Sequence, residues 1–145
     1  MGHSFTTYKG KSILSKDFKV QTWLYLICRE IDKAEDIPEW VIEAKRHWMQ
    51  EAEDCINGLI NPEFDIFLNC EEKENFIIGI CENIYNEFLS LGNKVPKSYL
   101  NELLKREQND YDRIREDNDT EIYLNYGKAL MDLLKGQQID EIRNV

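Results

Sequence analysis

Apolar residues along the chain recur mostly at helical intervals. The densest set runs from Phe18 and Val20 through Trp23-Leu24-Tyr25-Leu26-Ile27-Cys28 to Ile31. On a helix these side chains project around nearly the whole circumference, and a helix apolar on all sides is a buried one. A buried strand over 23–28 is the rival, but no turn residue brackets the run. The pattern predicts a first helix from Ser15, as N-cap, to about Ile31, at the centre of the fold. Val41, Ala44, Trp48, Ala52, Cys55 and Leu59 follow at spacings of three and four, with Glu43, Arg46, Gln50, Glu53 and Asn57 opposite. This is a one-faced helix opened by Pro38 and ended near Gly58.

Between 61 and 70 the pattern supports two readings. Phe64, Ile66 and Leu68 alternate like a strand, while Asn61-Pro62 could open a helical turn. From about Glu72, the set Phe76, Ile77, Ile80, Cys81, Ile84, Tyr85, Phe88 and Leu89 predicts a third helix, with Gly92 at its C-terminal turn. Pro96 opens a fourth, carrying Tyr99, Leu100, Leu103 and Leu104 and extending outward through Tyr111 and Ile114. Asp119 or Thr120 caps a fifth that stops at Gly136. Residues 1–14 read as an irregular lead-in and 137–145 as a frayed tail. The expected fold class is all-α: a single compact bundle of about five helices, with or without a short extended segment. No repeat or linker divides residues 1–145, so one domain is expected.

Charge narrows the partners. The 28 acidic side chains outnumber the 18 basic ones, giving a net charge of −10. Nucleic acid and anionic membrane surfaces are bound through Lys and Arg, so both are disfavoured, while a basic protein partner suits the field. The longest apolar run is far shorter than the ~20 residues that span a bilayer. Cys28, Cys55, Cys70 and Cys81 form no C-x-x-C pair, and three of them sit at apolar helical positions. Core thiols in a reducing compartment follow, and a cytoplasmic location is expected.

Candidate chemistry is sparse. Of two histidines, only His47 has carboxylates at helical spacing, Glu43 and Glu51, on a strip beside Trp40. A general base or a one-ion site could be built there, as could a simple i,i+4 charge pair. Paired Glu-x-x-His units of bundle metal sites are absent, so no metal or cofactor is expected. The second cluster is acidic: Asp110, Asp112, Glu116, Asp117, Asp119 and Glu121, against Arg113 and Arg115. Asp117-x-Asp119-x-Glu121 has the opening spacing of a calcium loop, but Ile122 stands where the sharp turn needs glycine. No phosphate-cradling glycine loop or nucleophile elbow occurs. Tyr25, Tyr85, Tyr99, Tyr123 and Tyr126 fall on inner faces, where each hydroxyl needs a partner.

The opening Gly2-His3-Ser4-Phe5-x-x-Tyr8-Lys9-Gly10, followed by Trp23-Leu24-x-Leu26, resembles small uncharacterised bacterial helical proteins over the first third of the chain. In size, charge and helicity the chain is similar to the immunity proteins of bacterial toxin systems, which implies a neutralising partner and carries over no functional residue. The leading expectation is a protein-interaction module, an acidic immunity or regulatory protein binding a basic partner. Its expected surface is Asp110, Asp112, Glu116, Asp117, Asp119 and Glu121, with Trp40, Glu43 and His47. The alternatives are a carboxylate-based or metal-dependent enzyme and a small-molecule-binding helical protein. Oligomeric state is left open.

Overall fold

The computed structural model describes residues 2–145. Among them the chain forms six helices and five strands, so the all-α helical-bundle expectation is wrong: the fold is mixed, with two small sheets beside the helices. The expected lead-in over 1–14 is a hairpin of β1 (His3–Tyr8) and β2 (Lys11–Lys16), with His3 opposite Lys16 and Tyr8 opposite Lys11. Its two turn residues, Lys9 and Gly10, both have positive φ, 49° and 82°, the mirror-image turn whose twist suits a two-residue hairpin. Strand alternation is present in the sequence, but it is inverted. Ser4, Thr6 and Tyr8 face inward and Phe5 outward. An inner face of hydroxyls gives no amphipathic signal, which is why the hairpin passes for loop.

Those inner hydroxyls are all paired. Ser4 Oγ donates to Asp17 Oδ1 at 2.5 Å, Thr6 Oγ1 lies 3.0 Å from the Tyr126 hydroxyl, and Tyr8 donates to the Leu68 carbonyl at 2.8 Å. Buried polar groups ordinarily have such partners. Ser15 belongs to β2 and caps no helix; α1 (Asp17–Lys33) begins at Asp17. The Asp17 carboxylate takes Ser4 on one oxygen and the Gly58 amide on the other, at 2.9 Å. It ties the hairpin to the loop after the second helix.

The helix α1 is buried around most of its circumference and touches the hairpin and most of the later helices. Trp23 is its largest fully buried side chain. The indole donates to the Tyr123 carbonyl at 3.0 Å and lies 5.8 Å from Phe88 and 6.1 Å from Tyr126. A Cβ on Gly127 would stand 2.3 Å from the indole, so only glycine lets α6 (Thr120–Leu134) pass this close.

Helix α2 (Glu39–Asp54) starts after Pro38 and stops earlier than the periodicity implies. Cys55 takes a left-handed conformation (φ 41°), and Leu59 is exposed instead of completing the apolar stripe. The undecided segment is one helical turn, α3 (Phe64–Phe67), whose Phe64 and Phe67 pack edge-on against Trp48 at 5.6 and 5.8 Å. α4 (Glu71–Ser90) follows, ending before Gly92 at φ 80°. The two-residue β3 (Lys94–Val95) pairs with β4 (Asn118–Asp119), clasping both ends of the segment between them.

Within that clasp, α5 (Lys97–Leu103) does not continue to Ile114. Lys105 adopts φ 57° and the Arg106 amide bonds back to the Asn101 carbonyl at 2.8 Å, a C-terminal cap in which lysine holds the position glycine usually takes. The tail over 137–145 is not frayed. β5 (Ile142–Asn144) runs parallel to β2, giving sheet order β1-β2-β5, and the buried Gln138 donates to the Ser12 and Asp140 carbonyls at 3.0 and 2.9 Å. No helix among the described residues is long and apolar enough to cross a membrane.

Candidate functional site

The acidic cluster lies on the irregular segment that follows α5 and on the start of α6. Asp110, Asp112, Glu116, Asp117, Asp119 and Glu121 are all exposed. Although irregular, the segment is held at defined points. The Asn101 side chain, from α5, donates to the Ile114 carbonyl at 3.0 Å and accepts the Ile114 amide at 2.8 Å. Arg106 donates to Gln21 on α1 at 3.1 Å and to the Asp112 carbonyl at 3.3 Å. Three of the six carboxylates have work within the fold. Asp117 accepts the Lys97 amide at the start of α5 (2.9 Å), Asp119 pairs with Lys94 at 2.5 Å, and Asp112 accepts the Asn109 amide group at 3.2 Å. Asp110, Glu116 and Glu121 make no side-chain hydrogen bond or ion pair among the described residues. Tyr111, between Asp110 and Asp112, is 98% exposed, so the acidic loop carries an aromatic ring with nothing against it.

The strip on α2 is built differently from a catalytic group. His47 Nε2 lies 2.9 Å from the Asn61 carbonyl and 3.5 Å from Glu63, with its ring 5.6 Å from Phe67. Glu51 accepts the Asn61 amide at 2.7 Å. His47 and Glu51 therefore hold the loop that leads into α3. Glu43 is exposed and makes no such contact among the described residues. Trp40 is half-buried, edge-on to Phe76 at 5.7 Å, with Lys73 Nζ 5.3 Å from its ring centre. No hydrogen bond or ion pair among the described residues joins this strip to the acidic loop. Nor is any group of three or more His, Cys, Asp or Glu among them placed to hold a metal ion.

A third place was not visible as a site in the sequence. Where α1, α2 and α5 meet, a cleft of about 360 Å³ is lined by Tyr25, Arg29, Asp32, Met49, Tyr99, Glu102, Leu103 and Lys105. That volume is in the range of small-ligand pockets. Arg29 anchors one wall. It donates to Glu87 at 2.7 Å and to the Tyr99 hydroxyl at 3.3 Å, while Tyr99 donates to the same Glu87 oxygen. Burial opposes charge on both partners, but their mutual hydrogen bonds prevail. Glu87 is held below the usual carboxylate range and Arg29 above its ordinary value. Burial and the bond to Glu87 push the Tyr99 phenol up.

Tyr25 differs from Tyr99. It is only 7% exposed, yet its hydroxyl makes no hydrogen bond among the described residues. Burial, and then the charge of Glu53, raise its pKa, so it stays a neutral hydroxyl at physiological pH. Tyr25 and Tyr99 were both expected on inner faces. Their convergence on a cleft with Arg29 was not, because it depends on how α5 crosses α1. The thiols of Cys28 and Cys81 are pushed up to about 12 by burial, which makes them poor nucleophiles.

Compared with known proteins, the chain matches no family model, no curated protein and no solved structure.

Proposed function

We propose that the chain is a protein-interaction module acting in the cytoplasm, an acidic immunity or regulatory protein that binds and neutralises a basic partner. The observation that carries this reading is the loop between α5 and β4. It is pinned by Asn101 and Arg106, and it presents Asp110, Tyr111 and Asp112 together at the surface. A solvated acidic loop needs neither pins nor an exposed aromatic ring. A docking loop gains from both: pinning lowers the ordering cost of binding, and a tyrosine flanked by charge supplies anchor area where carboxylates steer the approach. The free thiols suit a reducing compartment. His47 is assigned to the fold and Trp40 and Glu43 drop out of the proposed surface, which contracts to residues 107–121.

The test is affinity for whatever basic protein co-purifies at low salt from the native cells. The double reversal Asp110→Lys with Glu116→Lys leaves the internal bonds of Asp117 and Asp119 intact. It should weaken binding by about tenfold or more and flatten its salt dependence, and Tyr111→Ala should raise the off-rate. Unchanged affinity in both variants sinks this surface.

A further inference from the structure

We propose that a pocket between the start of α5 and the loop after it binds a small molecule through a single phosphate group. The pocket has a volume of about 460 Å³, and its polar lining includes Lys97 and Ser98 from α5 and Glu107, Gln108, Arg113 and Arg115 from the loop. A pocket of this size holds a phosphate together with a small organic body. The inference goes beyond the docking reading and does not depend on it, since neither Asp110 nor Glu116, the carboxylates reversed in that test, lines the pocket.

The charge of the lining runs against that of the molecule. Lys97, Arg113 and Arg115 form no ion pair among the described residues, and Glu107 is the one carboxylate set against them in the pocket. The excess of two positive charges matches a phosphate monoester, which carries roughly −1.5 to −2 at pH 7; a carboxylate would meet only half of it. Both guanidinium groups are held in place, Arg113 by the Glu107 carbonyl at 3.1 Å and Arg115 by the Asp110 carbonyl. Each anchor uses one of five N–H donors, and the spare donors of a positioned planar fork meet phosphate oxygens in pairs. The Lys97 ammonium and the Ser98 hydroxyl make no side-chain bond among the described residues, so both are available to the same group. Asn101 is already engaged with Ile114 in both directions and only shapes the wall. The side chains of Glu107 and Gln108 make no hydrogen bond among the described residues and remain to bond hydroxyl groups of the organic body. Asp112, Glu116 and Asp117 adjoin the two arginines in the chain without pairing with them. Neighbouring phosphates of a polymer would face these carboxylates; one terminal phosphate does not.

The probe is ribose 5-phosphate, titrated at low salt and about pH 7.5 into the isotope-labelled full chain while the backbone amides are followed. Amides of Lys97, Ser98, Gln108 and Arg113 to Arg115 should shift together, with a dissociation constant on the order of 1 mM. Ribose should leave them in place, and inorganic phosphate should compete for them. Lys97→Gln and Arg113→Gln should each weaken binding about fivefold. The first variant stays decisive if the second loosens the loop, because the Lys97 side chain has no bond within the fold to lose. Lowering the pH to about 5 protonates the phosphate, whose second pKa is about 6, and should weaken binding about threefold. Equal shifts with ribose, no competition by inorganic phosphate, a Lys97→Gln variant that binds as the parent does, or amides unmoved at about 20 mM probe would each overturn the assignment. A short single-stranded oligonucleotide that binds these residues more tightly than ribose 5-phosphate would overturn the single-phosphate reading.

Discussion

Glu87 shows how much a single side chain decides here. It sits on α4, receives Arg29 from α1 and Tyr99 from α5, and so joins three helices through one carboxylate. Its pKa is lowered in the folded state, so its contribution to stability is complete above the unfolded value of ~4.3 and is lost as pH falls through the lower folded value. Glu87→Gln should cost about 2 kcal/mol at neutral pH, because a half-buried guanidinium loses its charged acceptor. Urea midpoints of parent and variant should draw together below about pH 4 as the parent's carboxyl takes its proton. A gap that keeps its size well below about pH 4 would assign the loss to packing instead of charge. In the sequence, Arg29 and Glu87 are two unremarked members of helical faces 58 positions apart. No spacing rule connects them. His47 gave the opposite error: its helical neighbours were legible, but the loop from Asn61 to Glu63 that occupies it folds back from outside the pattern.

At the scale of elements, the helices were legible wherever burial is apolar and one-sided or all-round. α1, α2, α4 and α6 lie close to where periodicity puts them. The errors have a common physical origin in backbone or side-chain polar groups doing what hydrocarbon usually does. β1 buries hydroxyls, β5 is docked by Gln138, and α5 stops on a lysine in a glycine-like conformation. The same holds for the loop after α5, which the side chains of Asn101 and Arg106 pin to the fold. Asn101→Ala removes both bonds to Ile114, and the loop should then open without unfolding the helices around it. Hydrogen exchange at the Ile114 amide should quicken by about tenfold or more while amides in the middle of α1 keep their protection. If Ile114 exchanges at the parental rate, the clasp formed by β3 and β4 is sufficient and the pinned-loop argument fails.

For the whole molecule the governing quantity is the excess of carboxylates. Ion pairs such as Lys33 with Glu30 or Lys94 with Asp119 are surface pairs, and exposed pairs are worth little singly. They cannot offset a net charge of −10 on a chain of this size, so the folded state repels itself. Adding sodium chloride shortens the screening length from ~10 Å at 0.1 M to ~3 Å at 1 M, which removes repulsion faster than it removes the close pairs. The isolated chain should therefore melt higher in salt, by about 3 °C or more over that range, corresponding to ~1 kcal/mol. Partner binding through the acidic loop should move the other way over the same range, because attraction between opposite fields is screened as well. The two measurements bear on one surface with opposite signs. A melting temperature that falls with salt would mean that the pairs outweigh the repulsion. The excess carboxylates would then stand in balanced networks, and the acidic field would cease to be an argument for a basic partner.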